Sequence, residues 1–166
     1  MNKTIIFSIF FSTMSILLAD PPNWEDNPGG YEFVATIAGG IILNNGINMA
    51  EEGDIFAAFD EAGSVRGVAV QLVPEFGPYE GQIVYEMTLR SNAEGDLIHF
   101  KYYDTSEDAV LDIAETYDFV INDIVGNLVE PVFYNIGSGE EECVDDDDAM
   151  AAFGGCAGAV TAVGCD

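Results

Sequence analysis

Basic residues are nearly absent from this chain: four lysines and arginines stand against 30 aspartates and glutamates in 166 residues. A surface so short of positive charge repels nucleic acid and anionic membrane, so neither is an expected partner. There is a single histidine, His99, and serines are sparse. Ser64, Ser91 and Ser106 fall in turn-like contexts with no G-x-S-x-G setting, which leaves a nucleophile with a histidine base poorly supported. His99 lies in a strand pattern beside Leu97 and Lys101 and reads as a strand-face residue. Paired carboxylates for glycoside hydrolysis arise among 30 acids by chance alone. The expectation is a protein that is not an enzyme.

Long apolar runs are also scarce. The one at the amino terminus, Ile5 to Leu18, is uncharged, follows Lys3 and closes on Ala19 before Asp20-Pro21-Pro22. At about 14 residues it is shorter than the roughly 20 that a stable membrane span needs, and it matches a secretory signal over 1–19. An uncleaved anchor or an ordered hydrophobic arm is the alternative. With 1–19 removed, Arg66, Arg90 and Lys101 face all 30 acids, a formal balance of about −27. Such a protein is expected to be secreted or at the cell surface, to attract divalent cations and to tolerate salt.

What the chain does have is β-forming sequence. A Pro, Asn and Gly-rich loop over 20–30 holds the only tryptophan, Trp24. Short runs of β-branched and aromatic residues then follow at close spacing, divided by turn signals. They are 31–37, 41–43, 54–59, 65–73, 82–90, 96–104, 110–113, 117–121 and 129–136, and Pro131 suggests an edge position. No segment before Gly137 sustains an apolar period of 3.6 residues. The expected fold is all-β: an antiparallel β-sandwich of about eight or nine strands, Ig-like or jelly-roll-like, over 31–137. Half the residues are hydrophobic, enough to bury the core of one domain of about 115 residues.

From 138 to 166 the composition changes to an acidic tail with an Ala and Gly-rich stretch that reads as short helix. Its three cysteines, Cys143, Cys156 and Cys165, are the disulfide candidates. An odd number in an exported chain means one pairs between chains or meets further cysteines in a longer module. A zinc site is poorly matched, because paired short spacings and a nearby histidine are missing.

Two ligand chemistries suggest themselves. Asp54 and Asp96 each follow a glycine at a strand start, and the same strands end in Asp60 and Asp104. Oxygen ligands at loop ends suit calcium, although Gly-Asp is also ordinary turn chemistry. The Asp145 to Asp148 run lacks the spacing of an EF-hand. For an extracellular polysaccharide, Trp24, Tyr79, Tyr102 and Tyr103 offer faces for stacking. Tyr102 and Tyr103 are adjacent in a strand and point to opposite faces, which leaves room for one of them to be exposed, although most of the aromatic residues must be core.

The stretch from Trp24 to Ile136, with YEF at 31–33, EEGDIFAAFD, VRGVAV, LRSNAEGDLIHFKYYD and GNLVEPV, resembles a β-sandwich module. That module is repeated in secreted surface proteins of environmental Gram-negative bacteria, often beside carboxy-terminal sorting signals. The tail ECVDDDDAMAAFGGCAGAVTAVGCD resembles a cysteine motif that accompanies such modules. The resemblance implies an accessory, adhesive or structural role with no attached catalytic residues. The favoured function is a subunit that self-assembles into a filament or surface assembly through a donated strand, the apolar arm or an unpaired cysteine. The alternative is a carbohydrate- or calcium-binding accessory module of a larger secreted protein.

Overall fold

The computed structural model describes residues 21–137. The expected signal segment, the acidic tail and the three cysteine candidates Cys143, Cys156 and Cys165 lie outside the described residues. Within them the chain is all-β, with ten strands in two sheets. The strands are β1 (Phe33–Asn44), β2 (Ile47–Asn48), β3 (Ile55–Phe59), β4 (Val65–Val68) and β5 (Val70–Leu72), then β6 (Val84–Ser91), β7 (Leu97–Asp104), β8 (Ala109–Asp118), β9 (Ile124–Val125) and β10 (Val132–Asn135). The one helical element among the described residues is a three-residue 3-10 turn, Pro28–Gly30. No helix among them is long and apolar enough to cross a membrane.

One sheet runs β10-β1-β6-β5, with β2 and β9 also paired to β1; the other runs β4-β3-β7-β8. Most pairs are antiparallel, as the sequence suggests, but β1 meets both β9 and β10 in parallel. After β8 the chain returns along the far side of β1 in the direction of β1 itself, so an all-antiparallel description is too narrow.

Strand β1 joins two runs that read separately in the sequence. Ala35 and Ile37 face the core opposite Leu89 and Met87 of β6, and then Gly40 falls opposite Tyr85. Three steps on β1 thus match two on β6, which is a bulge. The bulge reverses the strand's phase, so Ile42 joins the central cluster, while Ile41 is buried outside it. Gly39 makes room for it: a Cβ there would stand 2.3 Å from the Asn127 carbonyl oxygen. The turn to β2 places Asn45 and Gly46 at φ 52° and 78°, the left-handed pair that a two-residue hairpin favours.

The apolar run 65–73 serves both sheets. Its first half pairs with β3 and its second with β6, and the switch falls at Ala69, whose amide donates to the Phe56 carbonyl at 2.9 Å. Inward side chains of both sheets form one core, including Ile37, Phe56, Tyr85, Met87, Phe100 and Tyr134. The rings of Phe56, Phe100 and Tyr134 meet pairwise with centroids 4.9–5.4 Å apart. Burial stabilises by about 1.5–3 kcal/mol for each large apolar side chain.

Candidate functional site

The four candidate calcium aspartates fall at the two ends of the antiparallel pair β3–β7, where Ile55 lies opposite Tyr103 and Phe59 opposite His99. Each has a different occupation. Asp54 is buried, and its carboxylate accepts from the Thr105 amide at 2.9 Å, the Glu51 amide at 2.8 Å and the Tyr102 hydroxyl at 2.5 Å. It clamps the turn before β3 to the turn after β7. The Tyr102 hydroxyl also lies 3.4 Å from that of Tyr85, which accepts from Gln71 at 3.1 Å. Burial pushes both phenols above their ordinary pKa, and the Asp54 carboxylate pushes Tyr102 further.

Asp60 and Asp96 are brought together at the other end, with a cation already between them. Arg66 Nε lies 3.0 Å from Asp60 and its terminal nitrogen 3.8 Å from Asp96. The Ser91 hydroxyl donates to Asp96, and the Ser64 amide donates to Asp60 at 2.8 Å. Burial alone would raise the Asp60 carboxyl, but the Ser64 amide and the Arg66 guanidinium outweigh it and hold it below the ordinary carboxylate range. Asp104 accepts from the amides of Ser106 and Glu107 in a local turn. Among the described residues no group of three or more His, Cys, Asp or Glu side chains is placed to hold a metal ion.

The stacking candidates are corrected in part. Tyr102 and Tyr103 do point to opposite sides of β7, yet both are buried, at 0% and 4% exposure. Tyr102 is in the core, and the Tyr103 hydroxyl donates to Asp108 at 2.9 Å. Neither offers a face to a sugar. Tyr79 is half-buried in the loop between β5 and β6. Trp24 is half-buried and stands edge-on to Phe59, with centroids 5.2 Å apart and planes at 76°.

Phe59 leads to a concavity on the same sheet. On the outer face of the β4-β3-β7-β8 sheet an open trough of about 660 Å³ is floored by Phe59 and by His99 and Lys101 of β7. Asp112, Ala114 and Thr116 of β8 form one wall, and the β3–β4 turn with Asp60 and Glu61 closes an end. The trough follows from a second irregularity. His99 pairs with Thr116 and Lys101 with Asp112, so three residues of β8 oppose the single Phe100. The extra residues turn Ile113 inward to the core and spread the outer face, as bulges do beside binding sites. Lys101 Nζ and Asp112 form an ion pair across the floor.

With Arg90 paired to Asp26 at 2.8 Å, every basic side chain among the described residues is held by an aspartate. Asp112 and Thr116 stand outward on one strand, whereas the sequence reads 110–113 and 117–121 as separate strands with Thr116 between them, and the register that sets them against Lys101 and His99 depends on the β8 bulge. Among the described residues no serine lines the trough. Comparison of the chain with protein-family models, with curated proteins and with solved structures finds no match.

Proposed function

We propose that this chain is an extracellular adhesive module, an Ig-like or jelly-roll-like β-sandwich that holds a polysaccharide on one sheet face. The trough carries the reading. It is open, it lies on paired strands, and beside the apolar side chain of Ala114 it sets the polar groups of His99, Lys101, Asp112 and Thr116, with the buried Phe59 and Ile113 beneath. Apolar ring faces of sugars need the first kind of surface and their hydroxyls the second. The secretory character of 1–19 and the resemblance of 24–136 to a surface-protein module point the same way. Titration of the full chain with a panel of soluble polysaccharides, followed by calorimetry, tests the proposal. Saturable binding that is lost in His99→Ala and Thr116→Val while Glu86→Gln binds normally supports it, and no binding across the panel overturns it. A calcium role is tested in the same material by chelation, and an unchanged melting temperature sinks it.

Self-assembly, the reading the sequence puts first, has its own supporting observation. The outer face of the β10-β1-β6-β5 sheet leaves Val34, Val70, Ile124 and Phe133 between 38% and 71% exposed. Such a face suits contact between copies. Strand donation is less well served, because β5 has three residues and β10 and β4 four each. The longer edge β8 already engages residues 135–137 through Glu115, Ile113 and Asp112. Electron microscopy with intact mass under non-reducing conditions separates the two functions: regular fibres establish a polymerising subunit, and dispersed monomers exclude it.

A further inference from the structure

The charge around the trough narrows the ligand class. Resting on the polysaccharide reading, we infer that the trough selects an amine-bearing saccharide, a polymer of amino sugars with free ammonium groups, over neutral or acidic glycans. Its wall and rim carry three carboxylates, Asp60, Glu61 and Asp112. Two cations stand near them, and both are already matched: Arg66 by Asp60 and Asp96, Lys101 by Asp112. Glu61 is exposed in the β3–β4 turn that closes the end of the trough.

An ammonium entering there meets the exposed Glu61 carboxylate, which accepts a charge-assisted hydrogen bond from it. Asp112 is itself 62% exposed along its side chain, so an incoming ammonium can share it with Lys101. The far field acts in the same sense. A chain with a formal charge of −26 concentrates cationic polymers around itself and repels uronic-acid polymers. The trough adds to this a fixed geometry: carboxylates along one wall and end, and His99 and Thr116 for hydroxyl groups.

Glucosamine oligomers of one length, prepared with free amines and with the amines acetylated, test the inference by calorimetry on the full chain. The expected result is that the free-amine oligomer binds about tenfold or more tighter, a difference of about 1.4 kcal/mol. Glu61→Gln and Asp112→Asn should each weaken it several-fold. Glu86→Gln, the same charge change on the other sheet, should alter affinity less than about twofold.

If the acetylated oligomer binds as well and trough variants weaken it, the amine preference is overturned and the polysaccharide reading stands. If the amine oligomer binds but Glu86→Gln weakens it as much as Glu61→Gln, and about 0.5 M salt abolishes it, diffuse attraction explains the binding and the site assignment falls. If neither oligomer nor any other glycan binds, both readings fall. Glu61 and Asp112 are exposed, so the variants are expected to fold; an unchanged melting curve checks this.

Discussion

The Tyr102 hydroxyl donates to Asp54 at 2.5 Å and so joins the turn before β3 to the middle of the core. Among the described residues Asp54 is one of two buried polar or charged residues, the other being Ser91. Its carboxylate is tolerated because three donors meet it, one from each turn it links and one from the core. Tyr102→Phe should therefore cost about 1–3 kcal/mol in denaturant unfolding, since a buried acceptor loses its partner. Asp54→Ala should cost more, because it strands the Glu51 and Thr105 amides together with the hydroxyl. A Tyr102→Phe variant as stable as the parent would show that the hydroxyl is not needed there.

Gly39 is one of the positions where backbone approaches backbone. An added Cβ would meet the Asn127 carbonyl oxygen at 2.3 Å and cannot be relieved by turning a side chain. Gly39→Ala should destabilise by about 1–3 kcal/mol. Gly29→Ala, where the nearest atom is at 4.0 Å, should be close to neutral. Equal melting temperatures for the two variants would remove the close approach from the account of the β1 bulge.

Alkaline pH should unfold the protein in step with its tyrosines. Burial, aided by the hydrogen bond to Asp123, pushes Tyr117 up to about 12, and burial also raises Tyr85, Tyr102 and Tyr134. The fold favours the neutral phenol, so above about pH 10 the unfolded chain loses protons first. Stability is therefore full below about pH 10 and declines above it, and for Tyr117 the decline is complete near 12. Ultraviolet titration should show only part of the seven tyrosines ionising reversibly, with the rest appearing as circular dichroism collapses. Ionisation of all seven in one step with the fold intact would contradict the buried network.

Salt should stabilise. Among the described residues all three basic side chains are already matched with aspartates, so the remaining carboxylates repel one another without compensation. Raising salt to about 1 M shortens the screening length to about 3 Å and should raise the melting temperature. A lower melting temperature in salt would mean that the ion pairs outweigh the repulsion.

Much of this was legible in local pattern. In β7 the alternation of Ile98, Phe100 and Tyr102 with Leu97, His99 and Lys101 reads directly as one core face and one outer face. The Asn45-Gly46 hairpin is legible for the same reason, because its backbone angles are a property of those two residues. The bulges in β1 and β8 were not legible. Nothing local says that three residues of β8 must oppose Phe100, or that 110–113 and 117–121 belong to one strand and its end. The parallel pairing of β9 and β10 with β1 is equally silent, since two- and four-residue strands carry no period of their own.

The sequence by itself determined the β class, the inward face of most strands and the acidic surface, because side-chain alternation and charge are set residue by residue. Tertiary structure decided which acids became clamps, which became partners of Arg66 and Lys101, and which line the trough. It also decided that Tyr102 and Tyr103 are both buried where alternation leaves room for one outside. Exposure and pairing depend on what the rest of the chain lays over a strand, and that is fixed by register between residues far apart in sequence.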